Sequence, residues 1–152
     1  MQIYLAMWAR GIRGNEVSAE EMSENKLYAI GVAEQLKTLL EPYHTIKCPH
    51  DDKVLNLIDD LWLETRDERL IPMAMERCYC LLDECEGIVL FHRGYMSEGM
   101  VNEENYSMVK GKFVYKASDL TEENDEGVNI KEDLILALND WNEERTEDEE
   151  LV

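Results

Sequence analysis

The sequence predicts an α/β fold, a small, doubly wound and mainly parallel sheet with an added helix at the C-terminal end. Short apolar runs typical of buried strands alternate along the chain with longer segments of helical periodicity. The first run begins at Gln2, and the most apolar one is Gly87-Ile88-Val89-Leu90-Phe91. Apolar residues at helical spacing over 130–141 predict the added helix.

Composition and charge limit the possible functions. A chain of 152 residues is expected to form one domain with a substantial core. It contains no apolar run of membrane-spanning length and begins without a signal peptide, so we expect a cytoplasmic protein without membrane partners. Acidic residues outnumber basic ones by 34 to 15, a net charge of −19. Such a field repels nucleic acid and argues against a nucleic-acid-binding role.

The charge is uneven and indicates how the chain is organised. From Asp119 onward there are 14 acidic and 2 basic residues. We expect an α/β domain over 1–118, an acidic linker over 119–128, and an amphipathic helix with an acidic tail over 129–152. The tail, Glu147-Asp148-Glu149-Glu150, is expected to be a solvated, frayed end.

The four cysteines favour a structural interpretation over a metal site. Cys78, Cys80 and Cys85 lie close together and Cys48 stands apart. Zinc sites prefer C-x-x-C pairs, and Cys78-Tyr79-Cys80 does not have that spacing. We expect reduced, buried thiols, with no metal and no cofactor.

The first strand and the loop after it form the first candidate binding element. Residues 2–9 are predicted to be a strand in the centre of the sheet. Arg10-Gly11-Ile12-Arg13-Gly14-Asn15 follows directly. Its glycines allow close backbone approach and its guanidinium groups suit an anion, whereas the alternative is a plain exposed turn.

The middle of the chain is predicted to be mostly helical. Ser18 and Glu21 match a capping box that begins a helix ending near residue 40. His50 precedes two carboxylates and is either a metal ligand or base, or part of a helix-capping loop, which we favour. The other elements predicted here are a strand over 43–48 and helices over 52–65 and 71–84.

Residues 86–115 form the segment around which the chain is organised. The apolar strand at 87–91 is followed by a loop, a helix from Ser97 to Lys110 and a short strand at 113–115. The first amides of a helix are unpaired and its dipole favours negative charge, so this N-terminus suits an oxygen ligand. Ser97, Gly99 and, one turn further, Glu103 are expected to face the same crevice.

The crevice follows from the fold class. In parallel sheets, ligands bind beyond the carboxyl ends of the strands. That rule brings together the Arg10-Gly11 loop, the Pro49-His50 loop and the segment from Ser97 to Glu103.

The pattern Ser97-x-Gly99-x-x-x-Glu103 after a hydrophobic strand resembles the signature of the nucleoside 2-deoxyribosyltransferase-like superfamily. This group includes the 2'-deoxynucleoside 5'-phosphate N-hydrolases and small phage and bacterial relatives. Ile3-Tyr4-Leu5-Ala6 is similar to the family's first strand, and Arg10-Gly11 to its phosphate-binding Arg-Gly pair. Gly111-Lys112 fits the Gly-Lys before the next strand, and the resemblance covers roughly 1–118.

The resemblance implies a flavodoxin- or Rossmann-like domain that cleaves or transfers an N-glycosidic bond. Glu103 is then the carboxylate nucleophile at the anomeric carbon. The roles implied for binding are the 5'-phosphate or 5'-hydroxyl at Ser97 and Gly99, further phosphate contacts at Arg10 and Gly11, and the base against Trp8 or Tyr4.

Relatives also imply a homo-oligomer, and the helix over 130–141 is a candidate for that contact. The sequence departs from the family one helix before the third strand, where active members carry an acid and Arg77 or Cys78 aligns here.

Two other functions stay open. The first is a catalytically inactive binder, or sponge, of a nucleotide derivative such as an ADP-ribose-type immune signal, as a phage anti-defence protein would be. The second is a nucleic-acid mimic acting through the acidic tail, against which the mixed charge of 1–118 argues.

Overall fold

The computed structural model describes residues 1–118 and 129–150 of the chain. Within these ranges four parallel strands form one sheet in the order β2-β1-β3-β4. The strands are β1 (Gln2–Ala6), β2 (Thr45–Lys47), β3 (Gly87–His92) and β4 (Phe113–Ser118). The predicted α/β class with a doubly wound parallel sheet is confirmed. The predicted acidic linker, 119–128, lies outside the described residues.

Five helices accompany the sheet in the described part of the chain. They are α1 (Ala19–Leu40), α2 (Lys53–Thr65), α3 (Leu70–Asp83), α4 (Glu98–Val109) and α5 (Ile130–Glu150). Single 3-10 segments, Gly11–Glu16 and Pro49–Asp51, follow β1 and β2. None of the helices in 1–118 and 129–150 is long and apolar enough to cross a membrane.

The alternation of side chains along β1 divides the core into two layers. Ile3 and Leu5 face the layer that contains α1 and α5. Tyr4 and Ala6 face the opposite layer, with α3 and α4. Successive residues of a strand point to opposite faces of a sheet, so Tyr4 approaches α4 because it lies between two residues of the other layer.

Side-chain caps set the starts of α1 and α2, as the sequence predicts. Ser18 Oγ accepts a hydrogen bond from the Glu21 amide at 3.1 Å at the start of α1. Asp52 caps α2 by accepting from the Leu55 amide at 2.9 Å. The helix-capping interpretation of the loop after β2 is therefore correct for Asp52.

Several boundaries differ from the prediction. Strand β1 ends at Ala6 rather than at residue 9, because its pairing with β3 ends at Ala6 opposite Leu90. Helix α5 runs to Glu150, so the residues predicted to be a frayed tail belong to a helix.

The apolar face of α5, considered above as a candidate for a subunit contact, packs inside the protein instead. Ile130, Leu134 and Leu138 are buried in the core on the α1 side of the sheet. Trp141 meets Phe113 edge to face, with ring centroids 5.7 Å apart. Because this face packs against the chain's own sheet, it is not free for a subunit contact.

Candidate functional site

A cleft of about 660 Å³ opens beyond the carboxyl end of β1 and beside the N-terminus of α4. Strands β1 and β3 are neighbours, while α1 and α4 cover opposite faces of the sheet. This is the point at which doubly wound sheets leave a crevice. The three segments expected to converge do so, since Arg10, His50 and Ser97 all line the cleft.

The N-terminus of α4 presents polar groups to this cleft. Ser97 is the N-cap, and its Oγ accepts a hydrogen bond from the Met100 amide at 3.2 Å. The amides of Glu98 and Gly99 lie ahead of the first intrahelical bond and are free for a ligand. A Cβ built at Gly99 meets only Ser97 Oγ, 4.0 Å away, so the backbone here is open to close approach by an oxygen ligand.

Glu103 lies one turn further along α4 and is buried, with 7% of its surface exposed. Burial raises the pKa of its carboxyl from 4.5 to about 7, and the neighbouring Tyr4 hydroxyl opposes that rise. In the part of the chain that the structure describes, no cation forms an ion pair with it. A carboxyl of this kind exchanges its proton near neutral pH, which suits chemistry at the cleft.

Tyr4 and Cys78 are the polar neighbours of this carboxyl. The Tyr4 hydroxyl is fully buried, and burial together with Glu103 and Cys78 raises its pKa well above 10. The Tyr4 hydroxyl oxygen has no hydrogen-bond partner among the described residues. It therefore lies near Glu103 without forming a hydrogen bond to it. Burial raises the Cys78 pKa to about 12, so this thiol stays protonated and is a poor nucleophile.

Among the described residues that line the cleft, Arg10 is the only lysine or arginine. Its guanidinium lies over the Trp62 ring, 4.6 Å from the centroid. Its Nε is buried and has no hydrogen-bond partner among the described residues. Burial lowers the arginine pKa, and Asp59 opposes that change. A half-buried guanidinium in a cleft wall is a type of group that suits an anion.

His50 lines the cleft, as expected for the Pro49-His50 loop, but the sequence did not predict that its side chain is buried there. It is 5% exposed, and neither ring nitrogen has a hydrogen-bond partner within the described residues. Burial, with a smaller effect of Lys26, lowers its pKa to about 4, so the imidazole is neutral at physiological pH. The available signal was its position directly after β2, at the carboxyl edge of the sheet.

The acids around the cleft are not equivalent. Asp59 is buried, but it is paired with Lys26 at 2.6 Å. Glu76 and Glu98 line the cleft at exposed positions. Glu103 is therefore the buried, unpaired carboxyl among the described lining residues. Arg77, one of two residues aligned with the family's second acid, points elsewhere and holds Asp52 at 2.8 Å.

Of the residues predicted to bind ligand, Trp8 has other surroundings, and the role of Gly11 is not tested. Trp8 donates a hydrogen bond from Nε1 to the Tyr95 carbonyl at 2.9 Å, with ring centroids 4.5 Å apart. It is not among the described residues that line the cleft, whereas Tyr4 is. Gly11 begins the 3-10 segment directly after Arg10, and a phosphate contact from its amide stays a prediction.

Taken together, the cleft combines the N-terminus of α4, a guanidinium whose Nε has no hydrogen-bond partner among the described residues, and a buried carboxyl with a pKa of about 7. No group of three or more His, Cys, Asp or Glu residues in 1–118 or 129–150 is arranged to hold a metal ion. Comparisons of the chain with known protein families, with curated proteins and with solved structures found no match.

Proposed function

We propose that the cleft binds a nucleoside or a nucleoside 5'-phosphate and that Glu103 acts on its N-glycosidic bond. The observation that carries this proposal is the placement of one buried, unpaired carboxyl beside two anion-binding elements, Arg10 and the α4 N-terminus. It agrees with the resemblance to the nucleoside 2-deoxyribosyltransferase-like superfamily. The reaction would take place in the cytoplasm, where such substrates are found.

The spacing along α4 supports this arrangement. Ser97 and Glu103 are separated by six positions, about 9 Å along a helix axis. Side chains lean toward the helix N-terminus, which brings the Glu103 carboxyl closer to the end that would hold a phosphate. A sugar lying between these groups presents its 5' oxygen to the helix end and its anomeric carbon to Glu103.

The chemistry follows from the ionised form of Glu103. A carboxylate oxygen bonds to the anomeric carbon as the bond to the base nitrogen breaks, and the base leaves with the bonding electron pair and takes up a proton from solvent water. Water, or the nitrogen of a second base, then displaces Glu103 and completes hydrolysis or transfer. The Tyr4 hydroxyl lies beside the carboxyl group of Glu103 and favours its charged form.

A second candidate is a binder that does not turn its ligand over. The observation in its favour is Cys78, a protonated thiol that lies beside Tyr4 and Glu103 at one of the two positions aligned with the family's second acid. Without that acid, protonation of the leaving base has no evident donor among the buried lining residues. A cleft that binds a nucleotide derivative tightly and holds it is the function of a sponge.

One experiment separates these candidates. The protein is incubated with deoxynucleoside 5'-monophosphates, and free base is measured by chromatography for the wild type, Glu103→Gln and the matched control Glu104→Gln. Glu104 is the adjacent carboxylate, paired with Lys116 at 3.3 Å outside the cleft lining. Base release lost only in Glu103→Gln supports the enzyme. Tight binding without release supports the sponge, and absence of nucleotide binding refutes both.

A further inference from the structure

Helix α2 carries apolar side chains on two sides. Leu55 and Trp62 are buried, at 4% and 2% exposure. On the outer side Val54, Leu57 and Leu61 are 49%, 71% and 46% exposed. These three residues, here called the α2 stripe, follow the spacing of one helix face. Large apolar side chains grouped on one exposed face mark interaction sites, and the described chain leaves the stripe in contact with solvent.

Charged residues flank the α2 stripe, with opposite signs of charge at its two ends. Lys53 lies at its N-terminal end, and Asp60 and Glu64 lie at its C-terminal end. All three are exposed and form no ion pair with any residue that the structure describes. Asp60 and Glu64 are also four positions apart, a like-charge spacing that is unfavourable in an isolated helix. A cation from a partner would relieve it.

We propose that the α2 stripe binds the α2 stripe of a second copy of this chain, with the two helices antiparallel about a two-fold axis near Leu57. Such an interface places the same surface on both sides, so it must be complementary to itself. Lys53 and Leu61 are each four positions, about 6 Å, from Leu57. In the antiparallel pair each Lys53 therefore comes opposite Leu61 of the other copy, between Asp60 and Glu64.

In this arrangement the contact between Lys53 of one copy and the acidic pair of the other forms twice, once at each end. Between the two contacts, the α2 stripes bury each other. A parallel pair would set Lys53 against Lys53 and acid against acid, and repulsion between these like charges disfavours it. A partner of unrelated sequence would need the same charge order in reverse, and a second copy supplies it without further assumptions. The proposal is independent of the cleft's function, although Leu55 and Asp59 on the inner side of α2 line that cleft.

The test is sedimentation equilibrium of the full chain over a wide concentration range. The wild type is expected to show a monomer–dimer equilibrium. Leu57→Asp is expected to raise the dissociation constant by more than about tenfold, since it places a charge at the centre of the contact. The matched control is Leu136→Asp, at a leucine on α5 that is also exposed, at 61%, which should leave the dimer unchanged.

Charge reversal tests the register directly. Lys53→Glu alone should weaken the dimer, and combining it with Asp60→Lys and Glu64→Lys should restore it. A wild type that is monomeric at every concentration overturns the proposal and leaves the stripe to another partner. So does a dimer that Leu57→Asp does not weaken, or that Leu136→Asp weakens equally. Failure of the reversed variant to recover the dimer overturns the antiparallel register.

Discussion

The burial of Glu103 predicts a pH-dependent penalty on stability that one substitution should remove. Its carboxyl has a pKa of about 7 in the folded protein, against 4.5 for the unperturbed group, and desolvation is the main cause. The folded state therefore binds the proton more tightly than the unfolded state does. Between these two values the unfolded state has lost its proton while the folded state retains it, so stability falls as the pH rises.

The size of the penalty follows from the two pKa values. Each tenfold change in proton affinity corresponds to about 1.4 kcal/mol, so ionised Glu103 lowers the unfolding free energy by about 3 kcal/mol above pH 7. Glu103→Gln keeps the shape of the side chain and removes the charge. The variant should match the wild type near pH 4.5 and become progressively more stable than it up to about pH 7, after which the difference stays constant.

Urea unfolding of both proteins between pH 5 and 8 measures this difference, and the exposed carboxylate Glu98 on the same helix gives the control variant Glu98→Gln. In thermal unfolding the full effect corresponds to roughly 6 to 12 °C. The reasoning is refuted if the difference between Glu103→Gln and the wild type does not change with pH. It is equally refuted if the glutamine variant is less stable at pH 8, since that result means that the ionised carboxylate has a stabilising partner.

Four further changes test the site and the fold. Arg10→Ala should weaken binding of 5'-nucleotides about ten- to a hundredfold more than that of nucleosides in titration calorimetry, because the proposed phosphate contact is a charge-assisted one from Arg10; equal losses would contradict its phosphate role. Trp62→Met should reduce the same nucleotide preference and Trp62→Phe should retain it, because an aromatic ring supports Arg10; equal effects of the two variants would refute this. Asp52→Ala should lower the unfolding free energy at pH 7 by about 1 to 3 kcal/mol through loss of the α2 cap and of the Arg77 contact. Because Arg77 lowers the Asp52 pKa, this stability is present above pH 4 and is lost as the pH falls through the folded pKa, so urea unfolding that shows a constant difference down to pH 2 would argue against it. Gly31→Ala, at an exposed position of α1 where a Cβ meets no atom within 4 Å, should stabilise by up to about 1 kcal/mol, and a destabilised variant would show an unseen contact.

Much of the fold was predictable because its signals are local. Ser18, Asp52 and Ser97 each precede a helix and cap it through the amide three residues later, and these contacts span one turn of chain. The apolar runs at 87–91 and near the start form the two central strands. Boundaries were less accurate because a strand ends where its pairing with a neighbour ends, as at Ala6 opposite Leu90, and that neighbour is distant in sequence.

The candidate site was also predictable only in part. The rule that parallel strands share a carboxyl edge was enough to group Arg10 with Ser97 and Glu103. It did not reveal that Trp8 packs against Tyr95, or that His50 is buried with unpaired nitrogens. Packing between loops decides those outcomes, and no spacing pattern encodes it.

The sequence by itself determined the class of fold, the helix N-terminus at Ser97 and the edge of the sheet where the cleft lies. Periodicity and capping act over a few residues, so they can be read without a structure. Tertiary structure alone decided that Glu103 is desolvated, that Arg10 rests on Trp62 and that α5 packs on the sheet. Desolvation and pairing depend on groups that only folding brings together, and these set the charge of the carboxyl and the availability of the cation.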